Sequence, residues 1–372
     1  MSNRILHLSK LYPPFWGGIE TVVYDLVKGS IRAKNKVDVL CVSENNESST
    51  EVFDGATVYR CASFLHVASL YLSWDFIKRW YKIRNNYDII HVHFPNPLAL
   101  CALFFLSTNS KIVVHWHSDI VKQKFLKIPF IPIQKWVLKR CSRIITTSPI
   151  YAQSSTDLQP YLDKVEVIPI GINVERYDFI DSSRLTQLKE KYADKKIIFS
   201  LGRHVYYKGF EYLIESALNL PDDYIILLGG VGELTGSYQN LINKYSLNDK
   251  VILLGKIPSS DISAYFSICD VFCLPSVERS EAYGVVQLEA MCFGKPVIST
   301  DIYGSGVPWV NKNNVSGLVV PTKNSESLAH AIIEVIEGNE FNSDGIKSYF
   351  DNNFTVDIMN KKTIEMYKKV FE

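Results

Sequence analysis

The sequence predicts an α/β protein built from two doubly wound, parallel-sheet domains. Three observations carry this: the length, an alternation of short β-branched runs with helical patterns, and the return of that alternation in the second half. The 372 residues exceed one ordinary domain and suit two of about 100–200 residues each. Expected strands in the first half are Arg4–Ser9, Val37–Val42, Ile89–Phe94, Ile112–His115 and Ile144–Thr147. The second half repeats the scheme with Lys196–Leu201, Tyr224–Gly229, Val251–Leu254, Val271–Leu274 and Pro296–Thr300. Val165–Tyr177, holding Pro169 and Gly171, reads as the linker, and 356–372 as a closing helix. The domains are therefore placed at 1–170 and 171–355.

Composition narrows the class. A hydrophobic fraction of 47% with 21% charged residues is that of an ordinary globular enzyme. Seven cysteines form no Cys-x-x-Cys pair and read as reduced thiols, which fits a cytosolic setting. The polar start Met-Ser-Asn-Arg reads as a first strand and not a signal peptide. The longest apolar run, Pro97–Leu106, is half the ~20 residues that span a bilayer. A cytoplasmic protein is expected. Residues 1–170 hold 20 Lys/Arg and 13 Asp/Glu, a balance of +7, and the remainder balances at −6. Opposite charge on neighbouring domains suggests different partners for each.

Ligands of open α/β sheets bind at the carboxyl ends of the strands, so the loops there matter most. The first ends in Pro13-Pro14-Phe15-Trp16-Gly17-Gly18-Ile19-Glu20 before a helix. Adjacent glycines and a helix N-terminus let backbone N–H groups approach an anion, although a plain glycine turn fits equally. No G-x-G-x-x-G dinucleotide fingerprint is present. In Gly202-Arg203-His204-Val205-Tyr206-Tyr207-Lys208-Gly209, glycines bracket two cations suited to phosphate oxygens; a solvated charged loop is the alternative.

The strongest segment is Glu281-Ala282-Tyr283-Gly284-Val285-Val286-Gln287-Leu288-Glu289-Ala290-Met291. Glu281 precedes a helix and Glu289 lies inside it, among apolar neighbours where an idle carboxylate is costly. The N–H groups of Tyr283, Gly284 and Val285 at the helix start are suited to a diphosphate. At ~1.5 Å rise per residue, the two glutamates stand about a diphosphate apart, one for sugar hydroxyls and one for ribose.

Gly17-Gly18, Gly202-Arg203…Lys208-Gly209 and Glu281…Glu289 together resemble the retaining glycosyltransferases of family 4. The resemblance covers nearly the whole chain, including Gly304-Ser305-Gly306-Val307-Pro308 and Gly317-Leu318-Val319-Val320, which are similar to the family's acceptor-side loop and final strand. It implies the GT-B fold, two facing Rossmann-like domains with the donor in the cleft, and a helix 356–372 packing back toward the first domain. It implies further that Glu281 holds the donor sugar and Glu289 the ribose, with Arg203 and Lys208 gripping the diphosphate beside the amide of Gly18. His117, in His115-Trp116-His117-Ser118-Asp119, matches a sugar-facing histidine, although a packed core histidine fits that position equally. The base is expected near Gly230–Glu233 and Ile257. Similarity around Arg279-Ser280-Glu281 and His115–Asp119 suggests bacterial surface polysaccharide assembly.

The chain holds no Asp-x-Asp pair, so a metal-independent reaction is expected, with no cofactor and the leaving group stabilised by Arg203, Lys208 and helix amides. Front-face attack with the leaving phosphate as base is expected, without a covalent enzyme intermediate. From Asp119 to Asp157 no acidic residue intervenes, while Lys122, Lys124, Lys127, Lys135, Lys139, Arg140 and Arg143 interleave with Phe125, Phe130 and Trp136. Phe76-Ile77-Lys78-Arg79-Trp80-Tyr81-Lys82-Ile83-Arg84 has the same character. Such faces suit an anionic membrane and a polyprenyl-diphosphate-linked glycan acceptor, whereas no nucleic-acid-reading motif is present. A solvated face with its aromatics in the core is the alternative. Rival functions are a nucleotide-sugar epimerase and a non-catalytic nucleotide-sugar-binding protein.

Overall fold

The computed structural model describes residues 2–67, 70–119, 130–338 and 340–372. The chain divides into two compact units, Met1–Gly171 with Val356–Glu372, and Ile172–Thr355.

The first unit contains β1 (Arg4–Leu8), β2 (Lys36–Val42), β3 (Ser49–Phe53), β4 (Ala56–Cys61), β5 (Leu65–Val67), β6 (Leu70–Leu72), β7 (Ile89–Phe94), β8 (Lys111–Trp116), β9 (Arg143–Thr146) and β10 (Val165–Val167). Eight of these form one sheet in the order β10-β9-β8-β7-β1-β2-β4-β3, parallel except for the antiparallel β3–β4 pair. Every residue of β7 is buried, as a central strand covered by helices on both faces requires. The β3–β4 hairpin turns on Asp54-Gly55, both at positive φ, a geometry that Asp-Gly readily adopts. It lies outside the five expected strands.

Val165–Val167, expected as linker, instead adds an edge strand that pairs β9 in register Val165↔Ile144. The backbone hydrogen bonds that β9 offers on that side outweigh the loop-like reading of a short Val-Glu-Val run. The helix Val356–Lys369 belongs to the first unit and packs on the helix Gly18–Arg32.

The second unit contains β11 (Lys196–Leu201), β12 (Tyr224–Gly229), β13 (Val251–Gly255), β14 (Val271–Leu274), β15 (Val297–Thr300) and β16 (Gly317–Val320). All pair in parallel in the order β13-β12-β11-β14-β15-β16. This is the dinucleotide-fold order, with the strand sequence reversing direction between β11 and β14. Ile198, Ile226, Leu228, Val271 and Ile298 supply its buried centre, closed by Phe210, Leu213 and Ile332 from the covering helices.

One basic-aromatic stretch separates into two faces. In the helix Trp74–Ile83, Phe76, Trp80 and Ile83 are buried, and the Trp80 indole donates to the carbonyls of Ala102 and Leu106. Lys78, Tyr81 and Lys82 are exposed. The aromatic content expected on the surface at Phe76 and Trp80 is core, because helical spacing puts them on the stripe opposite the lysines. Lys122, Lys124, Phe125 and Lys127 lie outside the described residues.

Candidate active site

In the second unit, four loops lie side by side at the carboxyl edge of the sheet because β13, β12, β11 and β14 are neighbours. Backbone hydrogen bonds join them: Gly202 N–H to Gly229 O, Gly230 N–H to Gly255 O, His204 N–H to Val231 O, and Val277 N–H to Tyr207 O, all between 2.7 and 3.1 Å. Gly230 sits at φ +118°, and a Cβ there would fall 1.8 Å from the Gly202 carbonyl oxygen. That approach tolerates only glycine. The Ile257 side chain closes over Gly229, so the expected base-binding residues Gly230 and Ile257 sit beside the Gly202 turn.

Lys208 Nζ lies 2.6 Å from Glu281 Oε2, and both side chains are largely shielded from water. Ser276 Oγ donates to the same carboxylate oxygen at 3.2 Å. Arg203 is exposed; among the described residues its guanidinium meets only the Tyr207 hydroxyl, at 3.5 Å. The loop carrying Glu281 is held from below: Ser305 Oγ donates to the Glu281 carbonyl at 2.5 Å, and Gly306 N–H to the Ala282 carbonyl at 2.8 Å. Gly284, at φ +70°, turns the chain into the helix Val285–Cys292. Nothing among the described residues accepts from the amides of Gly284 and Val285. Tyr283 is buried, and the Gln287 amide donates to its carbonyl.

Glu289, eight residues on from Glu281 and inside the helix Val285–Cys292, is partly buried and interacts electrostatically with Tyr177. Burial pushes its carboxyl up to about 7, against the pull of Tyr177, Lys208 and Arg176. Tyr177 was hidden from sequence reasoning, since it ends the segment read as linker and belongs to no motif. In the structure it closes the helical turn Val174–Tyr177.

In the first unit, Gly17 precedes the helix Gly18–Arg32 with extended backbone, and a Cβ on it would strike the Glu20 carboxylate at 2.4 Å. A Cβ on Gly18 would meet nothing within 4 Å, so packing alone does not demand glycine there. His117 follows β8, and its N–H donates to the Phe94 carbonyl at 3.1 Å. It is buried and belongs to a layer of five histidines, with His7, His91, His93 and His115. The alternation His91-Val92-His93 and His115-Trp116-His117 was the signal for that layer, since residues two apart on a strand share a face. Two triads in it, His7/His91/His93 and His93/His115/His117, have their nitrogens within 4.8 Å of one another.

A Rossmann-ordered unit with paired glutamates and two cations at its carboxyl edge, preceded by a second doubly wound unit, is the architecture of GT-B glycosyltransferases. The pattern "Glycosyltransferase Family 4" matches residues 16–176, and "Glycosyl transferases group 1" matches residues 182–348. The chain is 33% identical over 376 residues to "O-antigen chain mannosyltransferase C" of Escherichia coli, covering 99% of both chains. It is 30% identical over 330 residues to "D-rhamnosyltransferase WbpZ" of Pseudomonas aeruginosa, covering 88% of this chain and 85% of that one. The solved sucrose-phosphate synthase of Thermosynechococcus elongatus shares the fold, with a TM-score of 0.82 at 21% identity over 99% of each chain. The chain belongs to the family 4 glycosyltransferases.

Proposed function

We propose that the enzyme transfers a hexose, with retention and without a metal, from a GDP- or UDP-linked donor to a lipid-linked glycan during bacterial surface polysaccharide assembly. The observation that carries this reading is the Lys208–Glu281 pair at the carboxyl edge of one sheet, with Arg203 on the same loop as Lys208 and Glu289 in the helix that follows Glu281. The mannosyl- and rhamnosyltransferase relatives support a sugar of the mannose series and an O-antigen setting. They also weigh against an epimerase or a non-catalytic binder.

Cleaving a glycosyl–phosphate bond builds positive charge on the sugar and negative charge on the departing diphosphate. Lys208, held by Glu281, and the open amides of Gly284 and Val285 are fixed donors for that negative charge, and the exposed Arg203 guanidinium adds a second cation. In this reading Glu281 accepts from sugar hydroxyls and Glu289 from ribose hydroxyls, with Ala282 and Tyr283 shaping the turn between them. Gly18 offers an amide to the diphosphate, Gly17 gives the turn its room, and His117 meets the sugar. Gly230 and Ile257 line the base. The acceptor oxygen attacks from the face the diphosphate leaves, and the leaving phosphate takes its proton.

The acceptor reading follows from the basic first unit. Among the described residues no helix is long and apolar enough to cross a membrane, so contact with a lipid-linked acceptor would come from the surface. Exposed Lys78, Lys82, Lys135, Lys139 and Arg140, with Trp74 and Tyr81, supply a basic, aromatic-tipped surface for it.

A panel of GDP- and UDP-hexoses tests the reading by release of nucleoside diphosphate and by NMR of the product anomer. One donor consumed with its α configuration kept is the expected result. No donor consumed, or an inverted anomer, overturns it.

A further inference from the structure

Five of the eight histidines lie on one face of the first sheet, four on three adjacent strands and His117 just past the end of β8. His7 pairs in register with His91 and His93 with His115, while His91/His93 and His115/His117 are each two residues apart. That arrangement sends all five side chains to the same side. All are buried, and desolvation holds every one below the usual histidine range, with His7 and His117 pushed down to about 3. Near neutral pH the layer is a set of uncharged imidazoles.

Three of them form a row. His7 Nδ1 lies 2.9 Å from His93 Nε2, and His93 Nδ1 lies 3.0 Å from His117 Nε2. Their ring centroids are 5.2 and 5.3 Å apart and the planes differ by 18° and 20°. Those separations exceed the N···N distances by only about two ring radii, so each bond runs along the line of ring centres. A metal ion between two in-line nitrogens would need about 4 Å, from ~2.0–2.1 Å per Zn–N bond. The gaps are the length of N–H···N hydrogen bonds, so protons join this row.

A neutral imidazole carries one N–H, so the row has two polarities. If His117 donates toward His93 and His93 toward His7, the proton of His7 sits on Nε2, which is buried and has no partner. If His7 donates toward His93 and His93 toward His117, Nε2 of His7 is a bare lone pair instead. Orphaned buried N–H groups are rarer than unfilled acceptors, so the second polarity is favoured. We infer that His7 and His93 are positioning residues that lock His117 in the Nδ1–H tautomer, so that His117 meets its ligand as a neutral hydrogen-bond donor to an oxygen and never as a base. This rests on the reading of His117 as the sugar-facing histidine. Nδ1 of His117 has no partner among the described residues and, unlike Nε2 of His7, is not a sealed atom. A hydroxyl oxygen of the sugar is the acceptor it suits.

The test is long-range ¹H–¹⁵N correlation on the full chain labelled with ¹⁵N-histidine, together with transfer kinetics. His117 is expected as the Nδ1–H tautomer from pH 6 to 8. His7→Phe keeps a flat ring in the layer but removes the donor; it should turn His117 into a tautomer mixture and lower kcat by about tenfold, the worth of one oriented hydrogen bond. His7→Asn, whose amide N–H stands near the lost Nδ1–H, should restore the tautomer and most of the rate. A wild-type His117 protonated on Nε2, or His7→Phe and His7→Asn alike in tautomer and rate, overturns the inference. If His7→Phe does not fold, the wild-type spectrum decides alone. His117→Ala separates the two readings: wild-type transfer in that variant removes the sugar-facing role, whereas the tautomer still judges the row.

Discussion

Lys208 and Glu281 meet at 2.6 Å, Nζ to Oε2, with little of either side chain in contact with water. The cation proposed for the leaving diphosphate is thus paired with the carboxylate proposed for the sugar before any ligand arrives. Its position is fixed by that pairing, which is what charge stabilisation without reorganisation requires. Arg203 stands apart, exposed and without an acidic partner among the described residues.

This contrast separates two variants. Arg203→Ala should lower kcat by about 10²–10³, the scale of losing one preorganised charge stabiliser, and leave Tm within a degree or so of wild type. Lys208→Ala should lose as much activity and also melt earlier, because it strands Glu281 in a shielded site, a loss of about 3–5 kcal/mol when such a pair is fully buried and less here. Steady-state kinetics beside thermal melts check both. Equal melting temperatures would contradict a structural share for the ion pair.

Glu289 gives a pH signature. Its carboxyl is raised by burial to about 7 from an ordinary 4.5. Between those values the folded chain holds a proton that the unfolded chain has released, so this group lowers stability as pH rises toward 7. Glu289→Gln should therefore gain Tm over wild type at pH 8 and lose that gain by pH 4.5. The proposed ribose role calls for the ionised acceptor, so wild-type affinity for the nucleoside diphosphate should rise from pH 6 to 8. In Glu289→Gln it should be weaker by about tenfold and flat, as for loss of a charge-assisted hydrogen bond. Calorimetry at three pH values reads this; unchanged affinity removes the ribose role.

Turnover in excess EDTA should equal turnover in Mg²⁺ buffer, because in the proposed mechanism Arg203, Lys208 and backbone amides meet the diphosphate charge. Activity abolished by chelation and restored by a divalent ion would replace this mechanism with a metal-assisted one.

Binding to anionic vesicles should be weak and salt-sensitive. Lys78 and Lys82 lie on the exposed side of Trp74–Ile83 with Tyr81, and each is worth about 1 kcal/mol near an anionic surface at low salt. Co-sedimentation should fall in Lys78→Glu/Lys82→Glu while transfer to a short soluble acceptor persists. No sedimentation of wild type at low salt would leave these lysines simply solvated.

The central strands of both sheets were legible because buried parallel strands are rich in β-branched and apolar residues: Ile89–Phe94, Lys196–Leu201 and Tyr224–Gly229 match residue for residue. The exposed β3–β4 hairpin has little apolar pattern, and only its Asp54-Gly55 turn announces it. Val165–Val167 is too short to read without its partner β9. The motif residues Arg203, Lys208, Glu281 and Glu289 stood out because charges beside glycines or inside an apolar helix call for a reason. Tyr177 and the partnering of Lys208 with Glu281 did not, since each depends on segments far apart in sequence meeting in space. The histidine row needs strand register as well as spacing, and register is visible only once the sheet is assembled.

The most direct measurement is transfer by Glu281→Gln compared with wild type, on the donor the wild-type enzyme consumes, in EDTA. The amide still accepts from Lys208 but no longer carries the charge proposed to order the sugar hydroxyls. Turnover should fall by about 10²–10³ while affinity for the nucleoside diphosphate alone stays within a few-fold. Wild-type turnover in Glu281→Gln would contradict the account of the sugar site at the carboxyl edge of the second sheet.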